Sequence, residues 1–533
     1  MISGVTESQT RYGQGLIVLL GLFAFASILA SHNITEGDLW AQLAIGASIW
    51  ERGQLLRHDI FAFTPTLPEW TAHEWGAGVV FYGLIKLFGP GALMGLKIVL
   101  AIGALGFAFA TGRKQGCDAN VLLVLAVLAA ACILPAYIPV LRSHAFTFFF
   151  FGLTLFCLEA LRAGCRWPVA VLPLAMLLWT NLHGGFVAGL GVVFLYAGAA
   201  VLKRKDIPAM TGTAAACAAV TLINPYGVKF WQYLVPALLH PRARITEWGP
   251  LPLLEWDDWL GFRLLFALTV LAIVLGWKRT ERKNLQGLAV LGLTAFMGWR
   301  VRRHCPFFGV AALAFAGPYY AASLAALPAV VRAKLNPFWA VGVLYAGLAF
   351  FAAFEALPKA SMQPFAPVGE DPVREADILS RAGVKGNLAS PFPWGSYLSW
   401  RLFPKVKVSM DGRYETTYPE STFDLNTAFF DHDVKSDWFK LCRSYKVDFV
   451  ILDLAHFDVL RPEDLTAQGY VLIWKQSDAK QGDVSALLCL PEHAAALGEA
   501  ARSLPNFTID PLDLKTRPAG LFPSAGYPTG RSE

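Results

Sequence analysis

The sequence predicts an α-helical polytopic membrane protein with a C-terminal α/β domain. Three observations lead there. Of 533 residues, 55% are apolar and only 16% are charged, with a mean hydropathy of +0.46; soluble domains carry about 25% charged residues. Apolar runs of membrane-crossing length recur over residues 1–357. Beyond residue 358 the chain turns charged, and short β-like and helical runs alternate.

The apolar runs fall at 15–30, 92–112, 119–135, 144–161, 167–182, 184–202, 208–223, 262–277, 285–299, 305–325 and 337–357, about eleven spans in all. The first has only Arg11 before it and a weak cleavage site after it, so it reads as a retained helix. Basic residues orient the set. Arg113/Lys114, Arg162/Arg166, Lys203–Lys205, Lys278/Arg279/Arg282/Lys283 and Arg332/Lys334 occupy alternate turns, which assigns those turns to the cytoplasm. The loop 32–91, the turns near 142, 182 and 302, the loop 224–261 and everything after Leu357 then lie outside. Gly76–Phe88 is apolar but short and carries Lys86, so it reads as an interfacial or re-entrant helix ended by Gly89-Pro90-Gly91.

The net charge of +6 does not point to nucleic acid, because no basic surface is interleaved with aromatics. The eight cysteines never form CxxC. Cys442 and Cys489 share the C-terminal domain and either pair or remain core thiols.

The tail divides in three. Residues 358–370, with Pro364 and Pro367, read as a linker. Residues 371–495 form the α/β domain, with helices near 371–382, 395–402 and 433–445 and strands near 387–390, 406–410, 447–452, 470–475 and 484–490. Residues 496–533 read as an extended or poorly ordered tail. No GxGxxG or GxxxxGK[ST] is present, so no nucleotide site is indicated.

Candidate chemistry concentrates on the outer face. The first loop carries Glu36, Asp38, His58, Asp59, His73 and Glu74, with Trp40, Trp50, Trp70 and Trp75 to press it against the membrane. A carboxylate just beyond the first span has the chemistry to take a proton from a hydroxyl or to hold a divalent cation. Asp38 equally reads as the N-cap of a helix over 38–52. His58-Asp59 and His73-Glu74 place a base beside an orienting carboxylate in sequence, although adjacent side chains ordinarily diverge. Arg142-Ser143-His144 and Arg300-Val301-Arg302-Arg303-His304 each open a span on the face that basic residues avoid, so they require an anion; snorkelling to lipid headgroups is the plainer account. Asn181-Leu182-His183-Gly184-Gly185 is a helix break at membrane depth, where polar groups face protein or water. Asn224-Pro225-Tyr226-Gly227 and Thr246-Glu247-Trp248 read as a turn and an aromatic anchor. Met410-Asp411-Gly412-Arg413-Tyr414 reads as a turn after a strand, with an Asp–Arg contact. Seven of the ten histidines (His32, His58, His73, His144, His183, His240 and His304) lie in or beside outer loops. Each alone reads as an interfacial side chain; together they mark one polar face.

Several segments resemble the GT-C superfamily of membrane glycosyltransferases, and more closely a bacterial group of uncharacterised GT-C-like proteins. They are GDLWAQLAIGASIWERGQLLRHDIFAFT, EWTAHEWGAGVVFYGLIKLFG, LRSHAFTFFFFGL, LLWTNLHGGFVAGL, INPYGVKF, ITEW, RVRRHCPFFGVAA and WGSYLSWRL…VSMDGRYE, spread over residues 37 to about 415. The resemblance implies a hexosyl- or pentosyltransferase that uses a polyprenyl-phosphate-linked sugar donor and inverts the anomeric carbon. It implies Asp38 as catalytic base, in a loop that holds interfacial helices. It implies that Arg142 or Arg302/Arg303, with His144 and His304, contact the donor phosphate. Glu36, His58, Asp59, His73, Glu74 and His183 are supporting candidates, and Asp411 and Arg413 belong to an acceptor or lid region. The acceptor is a glycan, lipid or protein, and the site faces the periplasm from the inner membrane. The competing expectations are a flippase or transporter for lipid-linked glycans, a non-catalytic assembly subunit, and an O-antigen ligase or polymerase-like enzyme in which histidine or arginine replaces the first-loop acid.

Overall fold

The computed structural model describes residues 7–138, 141–239, 246–254, 258–281, 283–326, 337–366, 371–433, 435–455, 459–478, 482–504, 512 and 514. His240, Arg282, the Arg332/Lys334 turn, linker residues 367–370 and most of the tail after 504 lie outside them. The chain packs as two units: Met1–Asn33 with Met94–Met362, and Ile34–Leu93 with Gln363–Glu533. The first loop, grouped above with the membrane part, thus belongs to the same unit as the C-terminal segment.

The first unit is helical. It contains α1 (Glu7–Ser31), then, after the helices of the first loop, α4 (Gly91–Lys114), α5 (Ala119–Ile133), α6 (His144–Arg162), α7 (Pro168–Leu182), α8 (Phe186–Lys203), α9 (Ile207–Val220), α10 (Val228–Leu239), α11 (Leu260–Gly276), α12 (Leu285–Arg300), α13 (Cys305–Phe315), α14 (Gly317–Ala325) and a helix over Pro337–Phe351. Among the described residues, six stretches, within α1, α4, α6 and α8 and over Ala119–Tyr137 and Trp339–Lys359, are long and apolar enough to cross a membrane. A seventh joins if α13 and α14, bent by 58°, count as one broken span. The runs expected near 167–182, 208–223, 262–277 and 285–299 form helices of 15, 14, 17 and 16 residues. At 1.5 Å per residue these fall short of a hydrocarbon layer of about 30 Å. The expected eleven spans are therefore six or seven by length.

Two helices organise this unit. In α13 every residue from Cys305 to Phe315 is buried, and α6 is buried over most of its length. Phe307 of α13 stacks edge-on against Phe148 and Phe151 of α6, with ring centroids 5.3 and 4.9 Å apart. A helix apolar on all sides suits a fully buried position, and α13 takes one. At the far end of α6, Glu159 is 2% exposed and fully engaged. It accepts from Arg162, from Gln115 Nε2 at 2.6 Å, from Tyr196 Oη at 2.6 Å and from Asn284 Nδ2 at 3.2 Å, tying the ends of α4, α6 and α12 to the body of α8. Lys97, buried in α4, donates its ammonium to the carbonyls of Leu29 and His32 at 3.0 and 2.5 Å, capping the C-terminus of α1.

The second unit holds a five-stranded sheet. Its strands are β1 (Gly386–Ala389), β2 (Val406–Val408), β3 (Phe449–Asp453), β4 (Val471–Asp478) and β5 (Gly482–Cys489), in the order β2-β1-β3-β5-β4. β1 pairs in parallel with β2 and β3, and β5 pairs antiparallel with β3 and β4. All five lie close to the runs read from sequence. Of the helices, Val373–Ala382 and Gly395–Leu402 fall where expected, but only Lys440–Ser444 forms within 433–445. Glu420–Phe430 is an additional helix whose buried face includes Thr422 and Asn426. Ala494–Arg502 is also helical, with Leu497 and Ala500 buried, so the folded part runs beyond 495. Cys442 and Cys489 are both free thiols.

The first loop completes this unit. Its α2 (Gly37–Arg52) is buried from Leu39 through Ser48 and packs on α3 (Trp75–Phe88) and on the Gly395–Leu402 helix. A Cβ on Gly46 would strike the carbonyl of Gly78, so α2 and α3 meet backbone to backbone. Trp40 is fully buried and donates Nε1–H to Asp371 at 2.9 Å, and Trp70 is 3% exposed. Both are core anchors, not the membrane anchors expected of them. Residues 59–67 run beside the edge strand β2: Phe63 N–H donates to Val408 O at 3.1 Å, and Val408 N–H donates to Phe61 O at 3.0 Å. The loop so covers an edge that would otherwise be open.

One ion cluster clamps the segments. Arg413 holds Asp411 through Nε and NH2 at 2.8 and 2.6 Å, and its NH1 lies 2.6 Å from Asp59 Oδ1. The Asp59 contact is close in distance but not aligned as a hydrogen bond. The guanidinium sits 4.9 and 4.7 Å from the ring centroids of Phe61 and Trp70. Arg413→Ala should leave two buried carboxylates without their cation and cost about 3–5 kcal/mol, read as a lower melting midpoint of the purified full chain. Gly46→Val should cost about 1–3 kcal/mol by overpacking the α2–α3 contact, read as faster hydrogen exchange across 37–52.

Candidate functional site

The candidate residues separate into two groups, one in each unit. In the second unit, Glu36 occupies the N-cap position of α2 without a side-chain capping bond, and Asp38 stands in the first turn. The capping position expected of Asp38 is therefore held by Glu36, two residues earlier. Both acids sit where the positive end of the helix dipole favours negative charge. His58 is exposed and bonds Pro68 O through Nδ1 at 2.7 Å, while Asp59 turns into the Arg413 cluster, so these neighbours diverge. His73 and Glu74 stay together, Nε2 to Oε1 at 3.6 Å, and Glu74 also accepts from Gln42 Nε2 at 2.6 Å. Asp411 and Arg413 are engaged in the buried cluster with Asp59.

In the first unit, residues from four separate stretches converge. The helices α6 and α13 bring their N-terminal ends together, so two positive dipole ends face one region. Around it stand Arg142, His144, His183, Glu247, Arg303 and His304. Arg142 NH1 donates to both oxygens of Glu247 at 3.0 and 3.2 Å, and Arg303 NH1 lies 3.8 Å from Glu247 Oε2. Arg303 also lies 5.6 Å from the ring centroid of Trp248. Burial alone would raise the Glu247 carboxyl. The guanidiniums of Arg142 and Arg303 outweigh it and hold the group below its ordinary range, so it remains charged.

The histidines are held in defined forms. His144 Nε2 lies 2.5 Å from Ala136 O, which only accepts, and its Nδ1 lies 3.3 Å from Arg303 NH2, which only donates. His144 is therefore the neutral Nε2–H tautomer. His183 Nδ1 accepts from Gly185 N–H at 2.9 Å and from the Thr147 hydroxyl at 2.7 Å. That hydroxyl accepts in turn from Trp179 Nε1 at 2.9 Å, so the remaining ring proton of His183 sits on Nε2. The two imidazoles stand 6.4 Å apart. The break between α7 and α8 makes this arrangement: α7 stops at Leu182, and a Cβ on Gly185 would run into Thr147 Oγ1.

Arg302 and Arg303 do different work. Arg302 donates its backbone N–H to Gly249 O at 3.1 Å and its Nε to Pro250 O at 3.2 Å. It fastens the segment that carries Glu247, whereas Arg303 faces the carboxylate. His304 packs against Trp248 and Phe307. Glu247 is the residue that the sequence reading passed over as part of an aromatic anchor. Its signal was the arginine surplus itself, because cations on a disfavoured face demand an anion.

Among the described residues, one group has metal-ligand spacing: Asp448, Glu492 and His493 in the second unit. The Lys446 ammonium already lies 3.1 and 2.9 Å from its two carboxylates. Glu36 and Asp38, which sequence allows as oxygen ligands for a divalent cation, do not belong to that group. Within the membrane portion, an apolar cavity of about 360 Å³ opens between α1, α4, α5 and the Pro337–Phe351 helix, lined among others by Phe25, Phe109 and Tyr345.

No protein-family model matches the chain, and no curated protein matches it in sequence. Solved structures do. A mutant form of the arabinofuranosyltransferase AftD from Mycobacteria matches with a TM-score of 0.51 at 13% identity, covering 91% of this chain and 42% of that one. ArnT from Cupriavidus metallidurans in the apo state matches with a TM-score of 0.51 at 13% identity, covering 91% of this chain and 98% of that one. ArnT bound to undecaprenyl phosphate gives a TM-score of 0.49. The chain thus spans less than half the length of AftD and nearly the whole of ArnT. At this identity the likeness to AftD and ArnT is one of fold.

Proposed function

We propose that the chain is an inverting glycosyltransferase that moves a sugar from a polyprenyl-phosphate-linked donor to an acceptor hydroxyl on the outer face of the cytoplasmic membrane. The observation that carries this reading is the meeting of Arg142 and Arg303, from separate loops, on one anion position at the N-terminal ends of two buried helices. Guanidinium forks match phosphate oxygens in geometry and charge. The GT-C fold supports the reaction class.

In this reading Asp38 accepts the proton of the acceptor hydroxyl. The hydroxyl oxygen attacks the anomeric carbon as the bond from that carbon to the phosphate oxygen breaks on the opposite side, which inverts the centre. The departing phosphate gains a negative charge, and Arg142 and Arg303 neutralise that charge as it develops. His144 supports Arg303 through its Nδ1 acceptor. The lipid phosphate is the leaving group, so no nucleotide site is required. The acceptor hydroxyl belongs to a glycan, a lipid or a protein, the transferred unit is a hexose or a pentose, and the C-terminal segment is extracytoplasmic.

Asp38→Asn should abolish transfer while the melting profile of the purified chain stays that of wild type; normal turnover by this variant removes Asp38 as the base. Arg303→Gln should lower kcat/KM by roughly 10²–10³, the usual effect of deleting one contact to developing charge, with transfer followed by mass spectrometry of glycans and lipid-linked intermediates.

A further inference from the structure

The carboxylate of Glu247 fits the arginine pair unevenly. Both of its oxygens lie within hydrogen-bond range of Arg142, but Arg303 is 3.8 Å away, an ion pair without a hydrogen bond. The carboxylate meets Arg142 through NH1 alone and stands off Arg303, so neither guanidinium fork is filled by it. A tetrahedral phosphate presents more oxygens in more directions and can engage both forks together. We propose that Glu247 is a built-in competitor for the phosphate site: its side chain holds the arginine pair while the site awaits donor, gives way to the phosphate group of a lipid-linked sugar, and returns to help expel the lipid phosphate after transfer. This rests on the phosphate reading of the cluster given above.

Two features suit an exchange by side-chain movement. The Glu247 side chain is 40% exposed, against 17% for Arg142 and 24% for Arg303, so the carboxylate has an open direction to rotate into while the arginines stay packed. The backbone that follows it is held, because Arg302 binds the carbonyls of Gly249 and Pro250 and Leu251 N–H donates to Trp299 O at 3.1 Å. Arg303 is likewise held by Trp248 and by His144 Nδ1. The cations are thus pre-positioned, and the anion is the exchangeable part.

The test is equilibrium binding of undecaprenyl phosphate, with undecaprenol as uncharged control, to the detergent-purified full chain. Glu247→Gln should bind undecaprenyl phosphate roughly fivefold more tightly than wild type, the scale set by loss of one competing half-exposed ion pair, and undecaprenol unchanged. Glu247→Asp, which withdraws the carboxylate by one methylene, should also bind more tightly and serves if the glutamine variant does not fold. Arg142→Gln and Arg303→Gln should bind more weakly. Unchanged or weaker binding by both Glu247 variants, with loss in the arginine variants, overturns the competitor role and leaves the phosphate site standing. Undiminished binding in both arginine variants overturns the phosphate site and the competitor role together.

Discussion

A guanidinium set into packed protein draws an anion beside it, and in four places the structure supplies one, from the same turn or from far along the chain. Arg413 is neutralised by Asp411 nearby and by Asp59 from the first loop. Arg401, 2% exposed, takes Asp377 at 3.1 Å. Arg162 is held by Glu159 at the closed end of α6. Arg142 and Arg303 share Glu247 at the opposite end of that helix. The Arg413 and Arg401 sets are tightly buried, where removing one partner is costly and exchange is suppressed. Arg162 reaches solvent, but the side chain of its anion, Glu159, is 1% exposed and is bound by Gln115, Tyr196 and Asn284 as well. The fourth is half open. The same electrostatic rule therefore produces fixed clamps where the chain must hold together and an exchangeable pair where an external anion has room to enter.

The helical core explains why the open pair lies where it does. α13 is buried on all sides and α6 over most of its length, and their N-terminal ends are held against one another by the Phe307 contacts. The glycine-rich break between α7 and α8 brings His183 to the same end and fixes its tautomer through Thr147 and Trp179. The polar groups are ordered by a scaffold that is itself apolar.

Much of this was legible in the sequence. The apolar runs, the strands of the second unit and the break at Asn181–Gly185 all follow from local periodicity and from glycine placement. Arg142 and Arg303 drew notice because they violate the usual charge asymmetry. Glu247 did not, because a single acid beside a tryptophan is common in loops, and its meaning depends on two arginines more than fifty residues away on either side. The Glu420–Phe430 helix was hidden because its buried face includes Thr422 and Asn426, bonded to Pro65 O and Ser409, and so shows no apolar stripe. Lys97 was hidden inside an apolar run, where its ammonium caps α1 through carbonyls that no local pattern announces. The union of the first loop with the C-terminal segment was hidden for the same reason: the pairing of Ala62 with Val408 spans a separation over which sequence periodicity carries no information.

That union has a consequence for assembly. The first loop and the C-terminal segment share one unit, and the Thr64 hydroxyl meets the Ser409 carbonyl across 345 residues of chain. The β2 edge therefore closes only after the whole intervening helical stretch has been made, and contacts of such long sequence separation form late.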